Sequence, residues 1–477
     1  TPIKSSAASD VYKRQCMLTP FTLHGQVDAE RLQELDKLMY NGKYFESKEL
    51  YKNLSDTTTI PSDLDLFCKF RMAQFLNKTD SAAYYLEKYI PYYYEDFGDE
   101  ALILYSHLFD AYIELGDRDK ALCTYQQMKR IWNESLSNIH TGDKKDEDWR
   151  TATEKFLSYA ESAVNLPPIK MKRSNTSSFI DINIKGYDKP VFQAKYNGIS
   201  QTTIFDTGMQ PYCLLSDRLA EEMGIRYDSI ERSKEVMNET LACARSIIDS
   251  IDVGNITFYN IPALIYKESE SIPFATESLI KKRKRRKKAR AVIDSARAWF
   301  SECVFLGLPI MRLIGKIQTD YEHNRMCFPV SDLKAPISKE ANLYVYKNDL
   351  YMRIKLNGID FTANLDTGSD TYITVDSVFY EKHKEEMPIG FTNKKNTFGV
   401  AMLHQARAVP YKSLKDPVVI FDNKLMQPPT IEAVKTYPLG HFVPGVFFDG
   451  VIGHGFYRSI GKEVLLDLDN MRLEAVQ

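Results

Sequence analysis

The chain has 477 residues, with 62 Lys and Arg against 64 Asp and Glu, and its formal net charge of −2 argues against a nucleic-acid partner held by overall charge. The length predicts about two to four domains, and the hydrophobic fraction of 44% is ordinary for a globular protein. No apolar run reaches the roughly 18 residues of a membrane span. The seven Cys show no C-x-x-C spacing, which argues against a zinc site or a dense disulfide framework.

The first 26 residues are set apart from the rest of the sequence. Residues 1–15 resemble the translated read-through of a sequencing adapter and carry no fold prediction. Residues 16–26 end an apolar segment with a small-residue exit, so they are either the tail of a secretory signal or a plain leader. The first alternative predicts an exported protein, periplasmic or extracellular, and the second predicts a cytoplasmic one.

Helical periodicity runs over residues 27–166. Leu32, Leu35 and Met39 recur at three- and four-residue steps until Gly42 breaks the run. Around Gly116, interpreted as a turn between two helices, bulky and small residues fall where the tetratricopeptide repeat family has them: Tyr105, Leu108, Tyr112, Ala121 and Tyr125. The resemblance implies stacked helix pairs, which either present a concave surface to a peptide or protein partner or cap the domain that follows.

A linker is predicted at 165–178, strand-like alternation begins at 179–184, and residues 251–256 predict a hairpin. Nine basic residues then crowd the ten positions 281–290, inside an insertion that we place at 277–303. A block of like charge favours a solvated insertion. Binding to a nucleic acid or another acidic surface, or cleavage by a basic-specific protease, is the alternative.

Two copies of one short motif organise the remainder of the chain. The Asp-Thr-Gly triplets at 206–208 and 366–368 each follow an apolar residue, so each predicts a strand that delivers one carboxylate into a tight turn. An apolar run that ends in Gly follows each triplet, at Gly307 and at Gly453, and a short predicted helix follows each run. Two units with the same order of features indicate an internal repeat.

On these residues the chain resembles the aspartic peptidases, and within them the retropepsin-like kind, from about Ser174 to Gln477. The resemblance implies two β lobes that face each other, which we place at 175–333 and 341–477. Both lobes lie in one chain, so a monomer is expected to hold a complete site. The predicted fold class is multidomain, α followed by all-β: a helical repeat domain and then a two-lobed acid-protease β-fold built by internal duplication.

The predicted chemistry is peptide-bond hydrolysis by Asp206 and Asp366 with a bound water, and with no metal or organic cofactor. Two carboxylates in close contact share one proton, so one acts as a base towards the water while the other donates to the carbonyl oxygen. The predicted function is therefore an aspartic endopeptidase whose substrate is a peptide or a protein, without a nucleic-acid partner.

The supporting residues are predicted around the two turns: Thr207, Gly208, Gly307, Thr367, Gly368, Ser369 and Gly453. In the family the two Thr hydroxyls hydrogen-bond across the lobes, and the glycines are expected where the backbone packs closely. The family's flap over the cleft corresponds to 237–246 in the first lobe and to 397–401 in the second, with Gly399 at a hairpin tip.

The first triplet departs from the family at Met209, where the second copy has the small residue Ser369. A distorted first lobe would leave a catalytically inactive pseudo-peptidase, a scaffold that binds peptides or protein partners through its lobes and helices. Other hydrolase signatures, such as G-x-S-x-G and H-E-x-x-H, do not occur in the sequence.

Overall fold

A computed structural model gives the fold, and it describes residues 23–136, 144–177, 179–184, 189–228, 231–235, 239–268, 301–330, 340–346, 348–369, 371–390, 396–402, 405–426, 431–434 and 448–476. The chain divides into two compact units between Pro168 and Ile169. The first unit is helical and the second is built from β-sheets. Residues 1–22 of the leader predicted at 1–26 lie outside the described residues, as does the basic run at 281–290. Residues 23–26 belong to the first helix instead of the leader.

Consecutive helices make up the described part of the first unit. They are α1 (Leu23–Tyr40), α2 (Tyr44–Thr57), α3 (Ser62–Phe75), α4 (Thr79–Phe97), α5 (Leu102–Leu115), α6 (Arg118–Ile131) and α7 (Lys144–Asn165). Neighbours in sequence pack against each other, as α3 does against α4 and α5 against α6. The helical prediction for this region is therefore confirmed.

The predicted turn at Gly116 separates α5 from α6. Gly116 adopts a φ of +70°, the left-handed conformation that ends a helix at little cost when no Cβ is present. Asp117 then caps α6, because its side chain accepts a hydrogen bond of 3.1 Å from the backbone N–H of Lys120. Tyr112 and Ala121 are buried, as the helical pattern around the turn predicts.

The second unit begins with the first lobe, whose strands are β1 (Lys170–Arg173), β2 (Phe179–Asp181), β3 (Asn183–Ile184), β4 (Pro190–Tyr196), β5 (Ile199–Asp206), β6 (Cys213–Ser216), β7 (Glu231–Glu235), β8 (Glu239–Val253), β9 (Ile256–Tyr266), β10 (Val304–Gly307), β11 (Lys316–Asp320) and β12 (Arg325–Cys327). Its main sheet has the order β1-β9-β6-β10-β5-β4-β8-β7, with β3 beside β4. Two short helices, α8 (Asp217–Glu222) and α9 (Leu308–Ile314), follow β6 and β10.

The core of this sheet forms where apolar strands meet. Ile204, Leu214 and Phe305, from three adjacent strands, lie in one buried cluster. The predicted hairpin at 251–256 is confirmed, because β8 pairs with β9 up to Val253 opposite Ile256.

The second lobe has the strands β13 (Leu343–Tyr346), β14 (Asp349–Leu356), β15 (Ile359–Asp366), β16 (Ile373–Val375), β17 (Asn396–Met402), β18 (Gln405–Ser413), β19 (Val419–Phe421), β20 (Lys424–Met426), β21 (Ile431–Val434), β22 (Gly450–Gly453), β23 (Glu463–Asp467) and β24 (Arg472–Ala475). Its main sheet has the order β17-β18-β21-β16-β22-β15-β14-β19-β20, with β13 beside β14. The helices α10 (Ser377–Lys382) and α11 (His454–Ser459) follow β16 and β22.

A further sheet joins the two lobes. Its order is β2-β12-β11-β23-β24, so three strands come from the first lobe and two from the second. The lobes meet where β11 pairs antiparallel with β23, and Lys316 lies opposite Asp467 in that register. The ammonium of Lys316 lies 3.7 Å from the carboxylate of Asp467. Backbone hydrogen bonds therefore fix the position of one lobe against the other. Among the described residues, no helix has both the length and the apolar character that crossing a membrane requires.

Candidate active site

Each predicted aspartate lies at the end of a strand that pairs in parallel with one of the two apolar runs. In the first lobe β5 pairs with β10, and Asp206 lies opposite Gly307. In the second lobe β15 pairs with β22, and Asp366 lies opposite Gly453. The two lobes therefore deliver their carboxylates from the same point of the same strand pairing.

The two run-ending glycines are required by how closely each turn packs on its strand. A Cβ at Gly307 would lie 2.6 Å from the carbonyl oxygen of Met209, and one at Gly453 would lie 2.8 Å from that of Ser369. Carbon cannot approach a carbonyl oxygen so closely, hence any other residue would push the Asp turn away from the strand behind it.

The residue after each triplet has the same backbone role in both lobes. The N–H of Met209 donates to the carbonyl of Asp206 at 3.2 Å, and the N–H of Ser369 donates to that of Asp366 at 3.1 Å. The carbonyl of Met209 accepts from the N–H of the first residue of α9 at 3.0 Å, and that of Ser369 accepts from the N–H of the first residue of α11 at 2.9 Å. The Met209 side chain packs against the buried core of the first lobe. Met209 thus leaves the backbone of the first turn the same as that of the second.

The two triplets are locked together by crossed hydrogen bonds. The backbone N–H of Thr207 donates to the hydroxyl of Thr367 at 3.0 Å, and the N–H of Thr367 donates to the hydroxyl of Thr207 at 2.9 Å. Each hydroxyl in turn donates to a carbonyl on the opposite strand, at Leu365 (2.5 Å) and Phe205 (3.2 Å). Both Thr residues are buried, so these groups have no access to solvent as an alternative partner.

The glycines of the triplets bring the two carboxylates next to each other. A Cβ at Gly208 would lie 2.5 Å from the Oδ1 atom of Asp366, and one at Gly368 would lie 2.5 Å from the Oδ1 atom of Asp206. Each carboxylate therefore lies over the glycine of the opposite turn. The side chains of Asp206 and Asp366 are hydrogen-bonded to each other. Both predicted aspartates therefore belong to one site.

Proton affinity in this pair is set by burial and by neighbouring charges. Burial raises the pKa of both carboxyl groups, and the charge of Asp206 raises the pKa of Asp366 further. The ammonium of Lys189 and the N–H of Gly368 oppose these effects by lowering the pKa of both groups. Ionising both of two adjacent carboxyl groups costs a large electrostatic free energy, so the pair holds one proton over a range of pH. Both aspartates are only partly buried and Gly208 is exposed, so solvent reaches the site.

Lys189 is a site residue that the sequence did not reveal. It directly precedes β4 in the first lobe, its side chain is buried, and its Nζ donates a hydrogen bond to the carbonyl oxygen of Gly368 in the second lobe. Lysine is rarely buried without a specific partner, and 179 residues separate this lysine from the carbonyl it contacts.

Two further ionisable residues near the turns were missed. Burial raises the pKa of Asp349 to about 6, and the side chain of Gln210 donates a hydrogen bond to it. His454, at the start of α11, has its pKa lowered to about 3 by burial and then by the charges of Lys189 and Arg458. A signal for Asp349 lay in the sequence: it precedes Asp366 by 17 residues (366 − 349), as Lys189 precedes Asp206 (206 − 189).

The predicted flap segments fall on β-hairpins. In the first lobe β7 and β8 pair from Glu235 opposite Glu239 onwards, and in the second lobe β17 and β18 pair from Met402 opposite Gln405. Gly399 lies within β17 opposite Ala408, so it is not at the hairpin tip as predicted. The strand continues past Gly399 to Met402, and residues 403–404 lie outside the described residues.

Comparison with known proteins finds a family similarity that covers the first lobe only in part. The aspartyl protease family matches residues 192–277, a segment that includes the first triplet and ends before the second. This part of the chain is thus similar to aspartyl proteases in sequence. The link to Asp366 comes from the geometry of the site, because the matched segment does not reach the second lobe.

A solved retropepsin-like aspartic protease from Rickettsia conorii aligns with 34% of this chain and 95% of its own, at 13% identity and a TM-score of 0.20. A similarity at that level is too low to support a statement about the fold of this chain. No curated protein matches the sequence.

Proposed function

We propose that the protein is an aspartic endopeptidase in which Asp206 and Asp366 activate one water molecule against a peptide bond. One observation carries the proposal: crossed hydrogen bonds between Thr207 and Thr367 hold two Asp-Thr-Gly turns face to face, with their carboxyl groups hydrogen-bonded to each other. The match of residues 192–277 to the aspartyl protease family supports the same reaction class.

The mechanism follows from the shared proton. The ionised carboxylate of the pair takes a proton from the water as it attacks the scissile carbonyl carbon, and the protonated one donates to the carbonyl oxygen. The two acids exchange these roles when the tetrahedral intermediate collapses, and the amine leaves with a proton. Because one chain provides Asp206 and Asp366, a monomer is sufficient for the site, and the two lobes are proposed to have arisen by duplication.

The test is cleavage of a peptide library by the full chain and by Asp206→Asn and Asp366→Asn. Asparagine keeps the shape of the side chain but can neither take nor give the proton, so each variant should lose on the order of 1,000-fold or more in kcat/KM. Asp360→Asn is the matched control, since Asp360 lies on the same strand as Asp366 and is exposed. It should cleave as the unchanged chain does.

Two outcomes would contradict the proposal. One is full activity in either of the two Asn variants. The other is a folded, unchanged chain that binds peptides without cleaving any of them between acid and neutral pH, which would favour the pseudo-peptidase scaffold instead.

For the helical unit we propose a tetratricopeptide-like arrangement that binds a protein partner. The α5–α6 pair supports the arrangement through its buried residues, and Ile103 on α5, which is 56% exposed, is the position chosen for the test. Ile103→Asp should then weaken cleavage of protein substrates several-fold and leave peptide cleavage unchanged. If Ile103→Asp cleaves protein substrates as fast as the unchanged chain does, the substrate-binding role of the helical unit is contradicted.

A further inference from the structure

Lys189 crosses from the first lobe to the second beside the two aspartates. Its side chain is buried, and its ammonium donates to the carbonyl oxygen of Gly368, in the triplet that carries Asp366. Removing an ammonium from water is costly unless other groups compensate for the lost hydration. A buried lysine at this point therefore needs a reason beyond filling space.

The symmetry of the fold does not supply that reason. Val191 lies opposite Ile204 in the first lobe, and Tyr351 lies opposite Asn364 in the second, so the two strand pairs share one register with an offset of 160 residues (351 − 191). In that register Asp349 is the counterpart of Lys189.

Asp349 also reaches towards the opposite turn, where it accepts a hydrogen bond from Gln210. The same position thus carries a cation in one lobe and an acid in the other. The fold therefore does not require a cation at this position, because the second lobe has Asp349 there.

The charge of Lys189 acts on the site as a whole. It lowers the pKa of Asp206, of Asp366 and of His454. The positive charge thus favours the ionised form of both carboxyl groups and the neutral form of the imidazole.

The other ionisable groups around the pair, among the described residues, do not replace this charge. His454 is neutral at all but acid pH, and its Nε2 lies 3.2 Å from the hydroxyl of Tyr321. Asp349 faces Gln210, and Arg458 acts on His454. Among the described residues, the backbone N–H groups of the triplet glycines also donate to the pair.

We propose that Lys189 is a positioning residue of the active site: its ammonium holds the Gly368 carbonyl and, by its charge, sets the pH range in which Asp206 and Asp366 together hold one proton. This inference rests on the proposed peptidase function. Without the charge, both carboxyl groups would keep their protons to higher pH, and the singly protonated pair would form at higher pH.

The experiment compares three substitutions in the full chain. Lys189→Met removes both charge and hydrogen bond, Lys189→Gln keeps a donor without the charge, and Lys189→Arg keeps the charge. Lys195→Met is the matched control, because Lys195 lies on β4 and is exposed, about 20 Å further along the strand at ~3.3 Å per residue. Each variant is assayed for the pH dependence of kcat/KM and, independently of activity, by ¹³C NMR titration of aspartate carboxyl groups.

We expect both limbs of the pH profile to move upward by about one pH unit in Lys189→Met and in Lys189→Gln. Lys189→Arg should restore the profile, and Lys195→Met should not change it. The carboxyl resonances that disappear in Asp206→Asn and Asp366→Asn should show the same upward shift in their titration midpoints.

A purely structural role for Lys189 predicts another pattern, in which Gln rescues the enzyme and no pH midpoint moves. That result would overturn the inference. If Lys189→Met does not fold, the comparison of Gln with Arg decides the question. A chain that cleaves no peptide while its carboxyl midpoints shift as expected would refute the peptidase function and leave the role of Lys189 standing. If the unchanged chain cleaves peptides but the carboxyl midpoints do not shift in the Lys189 variants, the peptidase function stands and the role of Lys189 is refuted.

Discussion

The two lobes have the same backbone arrangement at their Asp turns and differ in the charged side chains around those turns. Both place an Asp at the end of a strand, both pack the turn on a glycine opposite it, and both turns use the same hydrogen bonds after the triplet. The side chains around these turns differ: Lys189 in the first lobe corresponds to Asp349 in the second, and Met209 corresponds to Ser369. The backbone therefore builds the acid pair alike in both lobes, and Lys189 breaks the symmetry by lowering the pKa of both aspartates.

A second comparison concerns the turns beside the sheet that joins the lobes. Asp320 ends β11 and accepts hydrogen bonds from two backbone N–H groups, of Glu322 at 3.1 Å and of His323 at 3.0 Å. Asp467 ends β23 and binds the N–H groups of its own turn in the same way, at 3.1 and 3.0 Å. The repeated arrangement extends beyond the triplets.

Among changes that keep both aspartates, the largest expected effect comes from the triplet glycines. Gly208→Ala and Gly368→Ala each place a Cβ against the carboxylate of the opposite lobe, and displacement of an acid by about 1 Å costs on the order of 100-fold in rate. We expect similar losses of kcat/KM from both, because the contact is the same on the two sides. Gly390→Ala is the control, since a Cβ there meets atoms no closer than 3.8 Å. A loss in one lobe alone would break the symmetry of the site.

The crossed hydrogen bonds come next. Thr207→Val and Thr367→Val each keep the side-chain shape and leave one N–H and one carbonyl without partners in a buried place, so each should lower the free energy of unfolding by about 2–4 kcal/mol. Thr202→Val is the matched control, because its hydroxyl binds the exposed Gln193. Denaturant unfolding measures the difference, and unchanged stability in both variants would contradict the lock between the lobes.

A smaller effect is expected at Asp349, and its sign distinguishes it from an ordinary acid. Its folded-state pKa is raised to about 6, so the folded chain holds the proton more tightly than the unfolded chain does. Stability therefore falls as pH rises from about 4 to about 6. Asp349→Asn removes this loss and should be more stable by about 2 kcal/mol at pH 7 and equal at pH 3. A destabilised variant at pH 7 would show that the charge is compensated.

The smallest effect concerns Asp320, which behaves in the opposite sense. Hydrogen bonds from the N–H of His323 and from Arg325 outweigh its burial and lower its pKa to about 2. Its contribution to stability is present above about pH 4 and is lost as pH falls towards 2. Asp320→Asn should cost about 1 kcal/mol at pH 7 and little near pH 2. Asp360→Asn serves as an exposed comparison, and an equal cost at both pH values would refute the charge-based account.

The sequence predicted what depends on local pattern. The strands that end at Asp206 and Asp366, and the glycines at 307 and 453, stand out because strand alternation and turn residues are read over a few positions. The short helices after those glycines were predicted for the same reason, and α9 and α11 are present.

The contacts that the sequence did not reveal join distant residues. Lys189 and the Gly368 carbonyl meet only after both lobes have folded, and no local pattern marks a buried lysine. Gly399 was misplaced because glycine suggests a turn, whereas here the residues before and after it pair with β18 and override that preference. The Met209 departure suggested a distorted first turn, but a turn held by backbone hydrogen bonds accommodates a larger side chain that packs into the core.

The most direct test of the shared acid pair is a double-mutant cycle on kcat/KM. If Asp206 and Asp366 act as one unit, removing either carboxylate removes the whole function, so Asp206→Asn, Asp366→Asn and the double variant should lose activity to the same extent. The account predicts that the double variant is no worse than either single one. Losses that multiply in the double variant, or a single variant that retains wild-type activity, would contradict it.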